Sequence, residues 1–486
     1  MKIRFDVPGL TSSTPDRWAI RSAGQATSSQ ARPAACAIDR PAGQELSRTD
    51  RARKSPLRAR ERPCLVMDNQ DLEIILLGTG TSGQLPNVSC LTNHLDPNPR
   101  PACRTCLSTT TAEGKNNIRR NTSAVVRGKR PDGSKSLILI DCGKSFLSSA
   151  LEFFPKFGLR KIDAVLLTHA HADAINGLDD LRGWTLKGVI QPFVKVYVSA
   201  HTLSEIARSW PYMVESSKAT GGGDVPAFEW IVIDENRDFF VEGIRVTPLN
   251  VHHGRFFDPP PAAPTNSSPN LPTCSDSLSD AIAPPPGPAP IRPFFCLGFI
   301  FHPSIVYLSD VSYIPESEWS KLLLTPLSLD ALTSSASTNA PMFSPAPMDQ
   351  LTPPASPPAT PLGMSASDSP AWPVLFLDCL FLQEHPSHFG ILHALTTILR
   401  LQPTRTYLMG FSHALSHEEW TALGQDLDGT REQGKEEAIV QTAKSLAGEV
   451  WEEAKKRAVS VRPAFDGLRI ECEVDAKGGI HVRELD

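Results

Sequence analysis

The segment Leu167-Thr168-His169-Ala170-His171-Ala172-Asp173 sets two imidazoles and a carboxylate at alternate positions directly after an apolar run. At a strand end, His169 and His171 can turn toward one point while Asp173 reaches a second point about 3.5 to 4 Å away, the ion spacing of two-metal hydrolytic sites. Mixed imidazole and carboxylate donors suit zinc, manganese or iron. Two solvent-exposed turn histidines are the bland alternative, and recurrence of the same residue types at later strand ends weighs against it. Asn250-Val251-His252-His253-Gly254 offers a third imidazole, with His253 preferred because the adjacent glycine lets the backbone turn there. Asp310 closes Val306–Asp310 with a carboxylate able to bridge two ions, and Gly410–His417 brings two more histidines, His413 and His417.

The elements that must carry these residues are short and strongly patterned. Strands are expected at Glu73–Gly78, Ser123–Arg127, Leu137–Ile140, Ala164–Thr168, Val194–Ser199, Ile244–Leu249, Ile305–Leu308, Val374–Leu377 and Arg405–Met409, with a helix over Lys144–Phe154. Strands that each end in a polar cluster and are interspersed with helices indicate a layered α/β domain. Near the C-terminus, Arg431–Ala458 carries Ala438, Ile439, Ala443, Leu446, Ala447, Val450, Trp451 and Ala454 at helical spacing, so a helix is expected there without a chemical role.

The cysteines form a separate motif. Cys103-Arg-Thr-Cys106 has the spacing of a zinc knuckle, with Cys90 thirteen residues upstream across a proline-containing stretch. Three thiolates and one imidazole make a closed structural zinc site. A redox pair is the alternative, but the surrounding context of a thioredoxin-type motif is missing. The other cysteines, Cys296 among them, show no ligand spacing and are expected to be free thiols.

Of 44 prolines in 486 residues, 12 fall between Pro259 and Pro293 and 11 between Pro326 and Pro373. Residues 1–66 are therefore read as a disordered basic arm, and residues 67–486, beginning near Met67, as one domain with low-complexity insertions at about 259–293 and 326–373. The insertions are candidate sites for unknown partners. The net charge is −5, but the first 66 residues carry 13 Lys and Arg against 6 Asp and Glu, so the body is near −12. Such a body is a poor general nucleic-acid binder. The most apolar run, Val374–Leu382, is cut by Asp378 and falls short of the ~18 to 20 residues of a membrane helix. No signal peptide opens the chain and ten cysteines are sparse, so a cytoplasmic protein is expected, with a mitochondrial address as the alternative reading of the N-terminal arm. A homo-oligomer is compatible with the sequence.

Taken in order, these motifs resemble the metallo-β-lactamase superfamily, whose members are αββα sandwiches with a metal site between the sheets. The resemblance covers about Leu72–Val474 outside the insertions. It is closest to the phosphoribosyl 1,2-cyclic phosphate phosphodiesterases, through Leu77-Gly-Thr-Gly-Thr-Ser-Gly83, the cysteine cluster, Gly177–Arg182, His385-Pro-Ser-His388-Phe-Gly390 and Pro463–Leu468. By position it implies that His169, His171, His253 and Asp310 hold one divalent ion, zinc or manganese, and that Asp173, Asp310 and His413 hold a second. It implies further that His417 completes the structural zinc of Cys90, Cys103 and Cys106, with His94 a nearer competitor. His388 would stand at the active-site rim and donate a proton to the leaving group, Asp173 is a second catalytic candidate, and Asp141 would orient a metal histidine. Arg119, Arg120 and Arg182 are candidates for a second phosphate. The family places a histidine directly after the aspartate of the first motif, and here that residue is Ala174, so the second ion loses a ligand. The activity implied is hydrolysis of a small cyclic phosphate ester or related diester. A superfamily nuclease and a non-catalytic scaffold are the alternatives.

Overall fold

The structure, a computed structural model, describes residues 70–130, 132–256, 292–323, 372–432, 434 and 436–485. The expected N-terminal arm with its Met67 start, and nearly all of both proline-rich insertions, lie outside the described residues. Their far edges do not: Pro293 opens a strand, and Trp372 is fully buried with its indole N–H donating to Leu322 O at 2.7 Å.

Two sheets face each other. The first holds β1 (Leu72–Gly78), β2 (Ser123–Gly128), β3 (Ile138–Ile140), β4 (Ala164–Leu166), β5 (Val194–Val198), β6 (Phe228–Val232) and, from the C-terminus, β14 (Arg469–Val474) and β15 (Ile480–Leu485), in the order β15-β14-β1-β2-β3-β4-β5-β6. The second holds β7 (Phe239–Val241), β8 (Ile244–Arg255), β9 (Pro293–Phe301), β10 (Ile305–Leu308), β11 (Val374–Asp378), β12 (Arg405–Met409) and β13 (Val461–Pro463), in the order β13-β12-β11-β10-β9-β8-β7.

Three apolar layers separate four structural ones. Leu72, Ile74, Val126 and Ile140 of one sheet meet Val246, Phe299, Tyr307 and Phe376 of the other in the central layer. On the first sheet's outer face, Val125 and Val165 pack against Phe146, Ala150 and Phe153 of helix Phe146–Lys156. On the second sheet's outer face, Leu375 and Leu377 meet Ala394, Leu395 and Ile398 of helix Ile391–Leu401, an i, i+1, i+4 stripe. This is an αββα arrangement. Strand β1, LEIILLG, is buried along its whole length; Glu73, the one charge in it, is paired with Arg127, Lys135 and Arg469, and the rest is the apolar run of a strand covered on both faces, Leu72, Ile74, Ile75, Leu76 and Leu77. Each such side chain contributes about 1.5–3 kcal/mol relative to exposure.

Strands β3 to β6 run parallel, as do β10 to β13, so their C-terminal ends gather at one edge of each sheet. Residues just past β3, β4, β10, β11 and β12 are those with chemical side chains.

Two expectations change. Strand β8 does not stop at Leu249 but runs to Arg255, because β9 pairs with it antiparallel along its length, with Asn250 opposite Leu297 and His252 opposite Phe295. The expected C-terminal helix is two helices, Glu437–Ala447 and Glu449–Lys456, broken at Gly448, whose φ of 54 and ψ of −129 no helix accepts.

Candidate metal centre and thiol cluster

His169 follows β4 and is almost fully buried. The Thr168 hydroxyl donates to Asp141 Oδ2 at 2.7 Å, so toward His169 Nδ1, 2.8 Å away, it accepts. The imidazole is thereby held as the Nδ1–H tautomer, and its buried Nε2 has no partner among the described residues. His253 is fixed in the same way from β8: its Nδ1–H donates to Ser387 O at 2.7 Å, leaving Nε2 as the acceptor nitrogen. Gly254 makes that approach feasible, since a Cβ there would stand 3.0 Å from Ser387 Cβ.

His171 precedes the short helix Ala172–Ile175, and its Nδ1 lies 3.2 Å from His253 Nε2. The donor atoms of His169, His171 and His253 fall within 4.8 Å of one another. Burial holds His169 well below its ordinary pKa and lowers His171 to about 4, so both are neutral donors near pH 7.

Asp310 lies two residues past β10 and is buried. Desolvation opposes its charge, but His253, His169 and His388 outweigh that and bring its carboxyl down to about 2. Its donor atom groups with those of His253 and His388, and separately with His169 and Cys296, again within 4.8 Å.

His388 belongs to the core of the site and not merely to its rim. Its Nδ1 lies 2.8 Å from Asp378 Oδ2 and 4.0 Å from Asp310 Oδ1. Burial disfavours an imidazolium, yet Asp378, then Asp310 and Asp173, raise His388 to about 9.

Asp173 stands in the first turn of helix Ala172–Ile175, outside those donor groups. Its buried Oδ1 has no partner among the described residues, and burial followed by Asp310 pushes its carboxyl up. Gly143 seats this turn: a Cβ on it would lie 1.6 Å from Asp173 O. Ala174 points away into the apolar layer with Cys142 and Phe146.

The second cluster corrects the expected partition of His413 and His417. His413 Nδ1 lies 3.3, 3.5 and 3.7 Å from the sulfurs of Cys90, Cys103 and Cys106, and joins them as a four-donor group. It is thus not placed with Asp173 and Asp310. The cause is local: buried Arg119 donates to Ser412 O at 2.5 Å and Leu415 O at 3.0 Å, pinning the turn that projects His413 toward the thiols. His417 instead starts helix His417–Asp428 behind the Ser416–Glu419 capping box, and its ring meets the edge of Phe465 at 5.6 Å. Burial, with the neighbouring Cys103 and Cys90, raises the Cys106 thiol to about 12.

The phosphate-binding candidates are otherwise engaged. Arg119 is the buried clamp just described, Arg120 pairs with Glu152 and Asp466, and Arg182 pairs with Asp179 and reaches Asp224 O. Sequence reasoning missed Asp378 and Cys296. Asp378 ends β11 as a carboxylate after an apolar strand, the same signal that flagged Asp310; Cys296, 3.7 Å from His169 Nδ1, had no spacing signal.

These residues fit a divalent cation. With Nδ1 of His169 and of His253 occupied as donors, each ring offers Nε2 as its lone-pair nitrogen, and the Asp310 carboxylate lies within 4.8 Å of a donor atom of each. The buried His169 Nε2 has no partner among the described residues to satisfy it.

Residues 137–269 match the model of a beta-lactamase superfamily domain. The octanoyltransferase of Porphyromonas gingivalis (strain ATCC BAA-308 / W83) is 33% identical over 189 residues, 38% of this chain and 31% of that protein. The chain thus spans under a third of that relative. Among solved structures, a diphosphatase of the PhnP family is 20% identical, with 82% of this chain and 97% of that one covered and a TM-score of 0.47. Unliganded yeast PDE1 is 12% identical, with 82% and 99% covered and a TM-score of 0.40.

Proposed function

On the match of residues 137–269 to a beta-lactamase superfamily domain and the metal-binding geometry described above, we propose that the chain is a metallo-β-lactamase-fold, metal-dependent phosphodiester hydrolase acting on a small cyclic phosphate ester. The observation that carries this reading is the convergence of the His169, His171 and His253 imidazoles and the Asp310 carboxylate beside His388, which Asp378 orients. His169, His171, His253 and Asp310 would hold a zinc or manganese ion. Such an ion supplies Lewis acidity toward phosphoryl oxygens and a nucleophile at neutral pH.

The chain's own residues do the rest. Thr168 and Ser387 fix two of the imidazoles in the tautomer that presents Nε2. His388, oriented by Asp378, donates a proton to the departing alkoxide. Asp173, with an unpartnered oxygen and a raised pKa, accepts a proton from the attacking water. Cys90, Cys103, Cys106 and His413 would hold a structural zinc that ties the segment after β1 to the turn after β12.

A non-catalytic role is the second reading, favoured by one observation: Ala174 and His413 both stand away from Asp173, leaving a second ion short of ligands. Incubating the manganese-loaded protein with a panel of five-membered and larger cyclic phosphodiesters, read by phosphorus NMR, separates the two. Ring opening to monoesters supports the hydrolase; inertness toward the whole panel supports the scaffold.

A further inference from the structure

Each imidazole around the candidate ion has a partner that fixes its ring, with one exception. His169 has the Thr168 hydroxyl, His253 has Ser387 O and His388 has the Asp378 carboxylate. His171 is the most exposed of the four, and its one hydrogen-bond contact among the described residues is to His253 Nε2, itself a candidate ligand atom. Such outer contacts normally fix a ligand's orientation, and losing one typically lowers metal affinity 10–100-fold.

What His171 has instead is a ring. Phe294 lies face to face with it, centroids 4.5 Å apart and planes 5° from parallel. Phe294 is itself immobilised: it is 9% exposed, and Phe256 meets it edge-on at 5.3 Å. Its ring is also 6.1 Å from those of His169 and His253. The strand pattern explains the placement. In β9, Phe294 and Cys296 alternate with Phe295, so the first two face the histidines while Phe295, opposite His252, faces out.

We propose that Phe294 is a positioning residue for metal binding, holding the His171 imidazole in its ligating orientation by stacking where the other histidines are held by hydrogen bonds. The inference rests on the reading that His169, His171 and His253 hold a divalent ion.

The test is manganese binding to the metal-free protein, followed by electron paramagnetic resonance of free and bound ion. Manganese is chosen because the thiol cluster disfavours it. Phe294→Leu keeps the apolar bulk and removes the flat face, whereas Phe294→Tyr keeps both. The Leu variant is expected to weaken manganese about tenfold or more and to alter the bound-ion spectrum. The Tyr variant should bind within about threefold of wild type, and each variant is compared at a temperature well below its own metal-free melting transition. In a His171→Ala background, Phe294→Leu should add nothing. Wild-type affinity in Phe294→Leu, or an equal loss with and without His171, overturns the proposal. A wild type that binds no manganese overturns the metal reading with it.

Discussion

Asp378 Oδ2 accepts two hydrogen bonds at once, from His388 Nδ1 at 2.8 Å and from the Val311 N–H at 2.9 Å. One buried carboxylate thereby orients the candidate proton donor and holds the turn that presents Asp310. Gly410, at φ +79, makes room for it, because a Cβ there would meet Asp378 Oδ1 at 2.5 Å.

That pairing sets a pH dependence. The active form of His388 is protonated and its pKa is raised to about 9, so hydrolysis should hold through neutral pH and fall as pH rises through about 9. Asp378→Asn removes the charge that raises it, and the basic limb of the kcat profile should move to lower pH. A limb unmoved by this substitution would show that another group sets it.

His388→Ala should lower kcat by about 10²–10⁴ on substrates with poor leaving groups. The loss should shrink for p-nitrophenyl esters, whose phenolate departs without a proton. Equal losses on both would indicate that His388 acts in some other way, such as binding the ion.

Acid should weaken the metal-free fold. Burial lowers His302 and His417 to about 4. Groups with depressed folded values bind fewer protons folded than unfolded, so their contribution is intact above about pH 6.5 and declines as pH drops toward 4. Melting temperature in chelator is expected to fall by roughly 5 °C or more over that window. His302→Gln and His417→Gln should flatten the decline; a flat wild-type profile would contradict it.

The thiol cluster is tested by zinc content. Purified protein should carry one zinc that resists mild chelation, lost in Cys106→Ser and His413→Ala and retained in His417→Ala. Retention in His413→Ala with loss in His417→Ala would return the ligand to the position expected from sequence.

The residues that were legible in the sequence share one property: a strand end delivers them whatever the loops do. His169 and His171 follow β4, Asp310 follows β10, and His253 is placed by its glycine. The Cys-x-x-Cys spacing is local and just as readable. Partners across the fold were not. Whether His413 or His417 meets the thiols depends on Arg119, about 300 residues away in sequence, gripping the intervening turn. Phe294 and Cys296 sit at the edge of a proline-rich stretch, where the strand pairing that aims them leaves no local periodicity to read. Arginines near the motifs suggested phosphate binding, but arginine is also the side chain best able to satisfy several buried carbonyls at once.

If His169, His171, His253 and Asp310 hold an ion used for diester hydrolysis, removing Asp310 must abolish metal-dependent turnover. That consequence is tested most directly by turnover of bis-p-nitrophenyl phosphate in metal-depleted wild type and Asp310→Ala, each with and without manganese. Wild type is expected to hydrolyse it only with manganese, and Asp310→Ala at least about a thousandfold more slowly with unchanged zinc content. Equal, manganese-independent rates in the two proteins would contradict it.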